Sequence, residues 1–133
     1  MRRRSLLAAA ALMLSASITA CVSHPHNYGA KNMSEENAIV LINPFVVPAD
    51  KLDETITMWE QARDYLQTQP GYISTALHQS LAPDATFRLI NVAKWESAEA
   101  FQTASKKMAA EADLPRIEGV VADPSLFSVI RRD

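Results

Sequence analysis

A single cysteine, Cys21, occurs among the 133 residues. No disulfide can form within one copy, so a disulfide-stapled fold is excluded. The apolar run near the start, Leu6 to Leu14, is too short to span a bilayer as a helix. Basic charge is scarce beyond Arg2–Arg4. Without the first 20 residues, 113 remain, with 10 basic and 15 acidic side chains, a formal charge of −5. A surface of that sign does not suit phosphate, so no nucleic-acid partner is expected. No segment repeats at a fixed period. About 110 residues suffice for one domain with a modest core.

The N-terminus "MRRRSLLAAAALMLSASITAC" is basic, then apolar, then small and polar. That is the layout of a secretory signal. Ile18-Thr19-Ala20-Cys21 resembles a bacterial lipobox, in which the signal is cut before Cys and that Cys is lipidated. The expectation is a lipoprotein-type signal over 1–20, then lipidated Cys21 and a flexible tether over 21–36, then one domain over 37–133. The alternative is cleavage by ordinary signal peptidase, leaving a free thiol. Either way the chain is exported; with the lipid it is a cell-envelope lipoprotein held on a membrane outside the cytoplasm. Val22 after the Cys is not the Asp associated with inner-membrane retention, which points to the outer membrane in a cell with two. His24 and His26 lie in the polar tether and read as solvated, so no metal site is expected.

The domain opens on "AIVLINPFVV", an apolar and β-branched run that predicts a strand. Pro44 lacks an N–H, so a bulge or an end of pairing is expected near it. The next segment predicts a helix, with Asp50 as N-cap and Leu52, Ile56, Trp59, Ala62 and Leu66 as one apolar stripe. Pro70-Gly71 stops it. Tyr72–Leu81 and Thr86–Trp95 predict a hairpin across "APDA", whose Pro and Asp suit a turn. Ser97 is placed to cap a second helix carrying Phe101, Ala104 and Met108. An irregular segment to Asp123 and a last strand, Ser125–Ile130, complete the chain.

The order β-α-β-β-α-β is α+β and ferredoxin-like: two helices on one face of a four-stranded antiparallel sheet. The hairpin strands carry apolar residues on both faces, so the bare face needs a second covering. A homodimer closing into an α/β barrel is expected, and Glu at Ile73 or Leu77 is expected to break it or unfold the chain.

Three stretches, "NPFVVPADKLDE", "QPGYISTALHQSL" and "RLINVAKWESAEAF", together with the helix–Pro-Gly–strand–hairpin–"WES"–helix layout, resemble the antibiotic biosynthesis monooxygenase family of dimeric α/β barrels. The resemblance runs from Ala38 to Ile130. It implies oxidation of a small aromatic phenol or quinol with O₂ and no cofactor or metal, in a cavity between sheet and helices. Asn91 and Trp95 match an Asn and a Trp of such cavities: the Asn polarises a phenol or quinone oxygen and the Trp stacks on its rings. His78 matches a polar residue of those sites, and a neutral imidazole can take a phenolic proton. Asn91, Trp95 and His78 are therefore expected in one cavity on the helix-covered face, as the catalytic set. Asn43, Phe87, Leu89 and Phe101 are expected to bind substrate. Phe101 stands where those enzymes carry Tyr. Asn43 also matches an Asn of haem degraders in the family, but the axial His of those enzymes has no counterpart after Trp95, so haem cleavage is not expected.

Each of these residues has a structural alternative. Asn91 or Asn43 can satisfy backbone at an irregular strand, Trp95 can be a core aromatic, and His78 can face solvent. A non-enzymatic module holding an apolar or aromatic ligand at the membrane surface is the competing function, and a purely structural envelope lipoprotein is a third.

Overall fold

The computed structural model describes residues 37–133. The signal, Cys21, His24, His26 and the tether lie outside them. Five strands and two helices follow in order: β1 Ile39–Val46, a 3₁₀ turn Ala49–Lys51, α1 Leu52–Leu66, β2 Tyr72–Gln79, β3 Leu89–Trp95, α2 Ala98–Glu111, β4 Val121–Ala122 and β5 Ser125–Ser128. The sheet is antiparallel, with β1 between β3 and the β4/β5 edge, and β2 outside β3. This is the expected ferredoxin-like arrangement.

Local signals explain most boundaries. Ser97 caps α2 by accepting from Ala100 N at 3.1 Å. Asp50 does not cap α1. It lies inside the 3₁₀ turn, which Lys51 N closes onto Pro48 O at 3.0 Å, and Lys51 takes the cap position without a side-chain bond. Gly71 ends the first crossover at φ +85°, and a Cβ there would come within 2.5 Å of Ala100 Cβ. Only glycine both adopts that backbone and lets α2 approach so closely. In the hairpin loop, Ala85 N donates to Ala82 O at 3.3 Å, closing the turn expected at "APDA".

Pro44 acts on one side of β1 only. Pairing with β3 runs without interruption from Ile39↔Trp95 to Phe45↔Leu89. On the other side, β5 pairs with Ile39–Ile42 and β4 with Phe45–Val46, and the break falls at Asn43–Pro44. In a strand a residue's N–H and C=O point the same way. Pro44 O accepts from Asp123 N at 3.1 Å, so its missing donor faces that break. The segment before β5, expected to be irregular, contains the two-residue strand β4 because the chain repairs with β1 past this break. The last strand is also shorter than expected, ending at Ser128.

Both helices cover one face of the sheet, and the core beneath them has two parts. Leu41, Ala93, Trp95 and Ala104 form one, joined by Leu66 and Phe101. Phe45, Val47 and Leu89 form the other, joined by Leu52, Ile56 and Trp59. The α1 stripe thus spans both. Leu77 also packs on the second cluster. Its side chain faces the helices, not a dimer partner, because it pairs with Asn91. The opposite face carries Val40, Ile42, Val46, Ile90, Val92 and Phe127, and Val46 and Phe127 are 39% and 48% exposed. No helix among the described residues is long and apolar enough to cross a membrane.

Candidate active site

A cavity of about 280 Å³ lies between the sheet and the helices. That is close to the lower end of the range for small-molecule sites, about 300–1,000 Å³. Its walls are mostly apolar: Leu41 and Phe45 from β1, Trp59 and Leu66 from α1, Phe101 and Met108 from α2. Its polar groups come chiefly from three adjacent strands. Asn43 and Asn91 are direct cross-strand partners. Thr75 reaches across from β2, and its hydroxyl donates to Asn91 Oδ1 at 2.6 Å. Trp95 lines the same space, as do Tyr72 and Ser105.

Trp95 is 1% exposed and is held edge-on by two rings, with centroids at 5.5 Å to Tyr72 and 5.6 Å to Phe101. It is therefore both core and cavity wall. Among the described residues, two buried side-chain atoms beside the cavity have no hydrogen-bond partner, Asn43 Oδ1 and Trp95 Nε1. One is an acceptor and the other a donor. Buried polar atoms without partners cost free energy unless a ligand or water meets them. Arg63 stands at the rim with its side chain 35% exposed, 5.4 Å over the Trp59 ring and paired with Asp64 at 2.8 Å. Burial pushes the Tyr72 hydroxyl above the ordinary tyrosine range, and the Arg63 charge offsets this only in part. Tyr72 is therefore a neutral hydroxyl near pH 7, not a base.

The structure brings together Asn91, Trp95, Asn43 and Phe101 of the residues singled out in the sequence. It does not bring His78. That residue pairs with Ile90, on the opposite face from Asn91, and its exposed ring lies 3.2 Å from Ile90 O. Facing residues on paired strands share a side, so Leu77, not His78, joins Asn91. Phe87 also stays away: β3 begins only at Leu89, and Phe87 is 42% exposed in the loop before it. Leu89 points to the helix side but is sealed in the second core cluster. Thr75 and Tyr72 are the site residues that sequence reasoning missed. A register shift between Tyr72 and Ser74 puts Tyr72 on the cavity face, against simple alternation. Among the described residues, no group of three or more His, Cys, Asp or Glu could hold a metal ion.

A family model described as antibiotic biosynthesis monooxygenase matches residues 38–112. A candidate monooxygenase from Shewanella loihica PV-4 is 48% identical, with a TM-score of 0.67 over 72% of this chain and 97% of that one. The haem degrader MhuD from Mycobacterium tuberculosis, solved with two haems in its active site, is 26% identical, with a TM-score of 0.56 over 71% and 98%. SnoaB from Streptomyces nogalater, a cofactor-independent oxygenase, shares the fold at 16% identity, with a TM-score of 0.51 over 72% and 96%. No match was found among curated proteins. With more than half of its length matched by one family model, the chain belongs to the antibiotic biosynthesis monooxygenase family.

Proposed function

We propose that the protein is a cofactor-independent monooxygenase that oxidises a small aromatic phenol or quinol with O₂. The observation that carries this reading is the cavity, where an amide and an indole N–H meet apolar and aromatic walls. The walls fit fused or substituted rings, and the donors fit an oxygen on them. An ionised phenol passes one electron to O₂. The aryloxyl radical and superoxide then join at a ring carbon bearing hydrogen. Loss of water from that peroxide leaves a carbonyl, so one phenol and one O₂ give one quinone and one water. Asn91 and Trp95 stabilise the oxyanion. Among the described residues the cavity lining includes no carboxylate or imidazole, and in this reading the phenolic proton leaves to solvent.

A cavity whose described lining is mostly apolar also fits a second reading, a module that binds an apolar or aromatic ligand without converting it. Haem is a poorer fit, because the histidine among the described residues, His78, points away from the cavity. The deciding measurement is O₂ uptake by the mature, metal-free protein against hydroquinones and polycyclic phenols. Uptake equal to quinone formed, lowered about ten- to a thousandfold in Asn91→Ala, supports the enzyme. Tight binding without uptake leaves the module.

The domain is further proposed to work as a homodimer at a membrane surface, outside the cytoplasm. The exposed apolar sheet face supports the first part, and Ile18–Cys21 the second. A mature chain that begins at lipidated Cys21 by mass spectrometry, and that Cys21→Ser frees from membranes or leaves unprocessed, is the expected result. A soluble, unmodified wild type refutes the anchor.

A further inference from the structure

Thr75 carries no motif and is not a group that reacts, yet its hydroxyl is bonded to an amide that lines the cavity. Its hydroxyl lies 2.6 Å from Asn91 Oδ1, while the next acceptor, Val92 O, is at 3.5 Å. The single hydroxyl hydrogen goes to the nearer oxygen. A primary amide has one accepting end and one donating end. With its oxygen engaged by Thr75, Asn91 offers the cavity its nitrogen. Asn91 is only 8% exposed, so bulk water does not compete for that orientation. Asn43 differs. Its Oδ1 has no partner, so nothing selects one end of that amide. Trp95 adds an unpartnered Nε1–H, which can only donate.

We propose that Thr75 is a positioning residue that holds the Asn91 amide with its nitrogen toward the cavity, so that the site takes a phenol or enol as its oxyanion in preference to its neutral form. The proposal rests on reading the cavity as a site for phenols, and it deepens that reading. It also supplies what the described lining lacks: with no carboxylate or imidazole among those residues, binding the ionised form draws the proton off. Among the described residues, the titratable or charged groups lining the cavity are Arg63 of α1 and Tyr72 of β2; β1, β3, α2 and the segments after it contribute none. Arg63 also favours an anion, but exchanging Thr75 leaves it in place.

The probe is 4-nitrophenol, whose absorbance reports its ionisation, bound to the mature protein across a pH series. Nitrobenzene, with no ionising oxygen, serves as control. In the wild type and in Thr75→Ser, the bound phenol should titrate below its free value. In Thr75→Val, which keeps the shape but frees the amide to turn, the bound pKa should rise by about one unit and phenolate affinity fall about tenfold. Nitrobenzene should bind alike to all three. Asn91→Asp offers acceptors only and should move the bound phenol above its free value, which keeps the test decisive if Thr75→Val fails to fold. Equal bound pKa values in wild type and Thr75→Val overturn the proposal, as does a wild type that binds no phenol or leaves its pKa unmoved. The two readings fail separately. A preserved pKa pattern without O₂ uptake removes the oxidation and keeps the role of Thr75. Uptake with equal pKa values does the reverse.

Discussion

Asn43 and Asn91 face each other directly across β1 and β3, in the middle of the helix-covered face. Along β1 the order is Leu41, Asn43, Phe45, and along β3 it is Leu89, Asn91, Ala93. The apolar neighbours on either side belong to different core clusters. The amide pair therefore divides the core, and the cavity occupies the division. A pair of leucines would close it.

Replacing Asn43 by Leu should join the two clusters and remove the unpaired Oδ1. Stability should rise by about 1–2 kcal/mol, while binding of aromatic ligands falls sharply. Chemical denaturation and ligand titration of the same preparation check both halves. A destabilised variant would show that Asn43 supports the fold.

Trp95 is both core and cavity wall, and substitutions can separate the two. Trp95→Ala removes a fully buried ring wedged between Tyr72 and Phe101, and should cost about 3–5 kcal/mol. Trp95→Phe keeps much of the packing but loses the indole donor. It should fold with a smaller loss and bind an oxyanion ligand several-fold more weakly. Loss of stability without loss of binding would confine Trp95 to the core.

Burial raises the Tyr72 pKa above its unfolded value. The folded state then holds the proton more tightly than the unfolded one. Its contribution to stability is complete below the ordinary tyrosine pKa of about 10 and is lost as pH rises through the folded value. Stability of the wild type should therefore fall more steeply above about pH 10 than that of Tyr72→Phe. Parallel curves would mean that Tyr72 titrates like an exposed phenol.

Val46 and Phe127 sit on the face away from the helices, each well exposed. If that face meets a second copy, Val46→Lys with Phe127→Lys should convert a dimer into a folded monomer in sedimentation, because neither side chain belongs to the core clusters beneath the helices. Each lysine would place a charge in an apolar interface. A wild type that is already monomeric at micromolar concentration refutes the barrel.

Much of the architecture was legible because its signals are local. Ser97 announced its cap, Pro70-Gly71 its stop, "APDA" its turn, and the α1 stripe its buried side. Asp50 misled because the same local chemistry serves a 3₁₀ turn as well as a helix start. The cavity lining was legible in part. Asn91 and Trp95 stood out as an amide and an indole sharing the face of a strand, and Phe101 lay on the matching helix.

The sequence by itself determined the element order, the apolar periodicity, and which residues share a side wherever a strand runs without a bulge. Those follow from backbone geometry repeated every two or every 3.6 residues. Only the tertiary structure decided which sides meet. A slip of one residue between β2 and β3 would have set His78 opposite Asn91; the actual register sets Leu77 there and sends His78 to the other face. The irregularity at Ile73 turned Tyr72 inward by the same mechanism. Pairing register is a long-range property, set by the hairpin loop and by the burial it allows, and a shift of one residue exchanges every side chain between faces. The Thr75–Asn91 hydrogen bond, joining positions sixteen residues apart, follows from that choice.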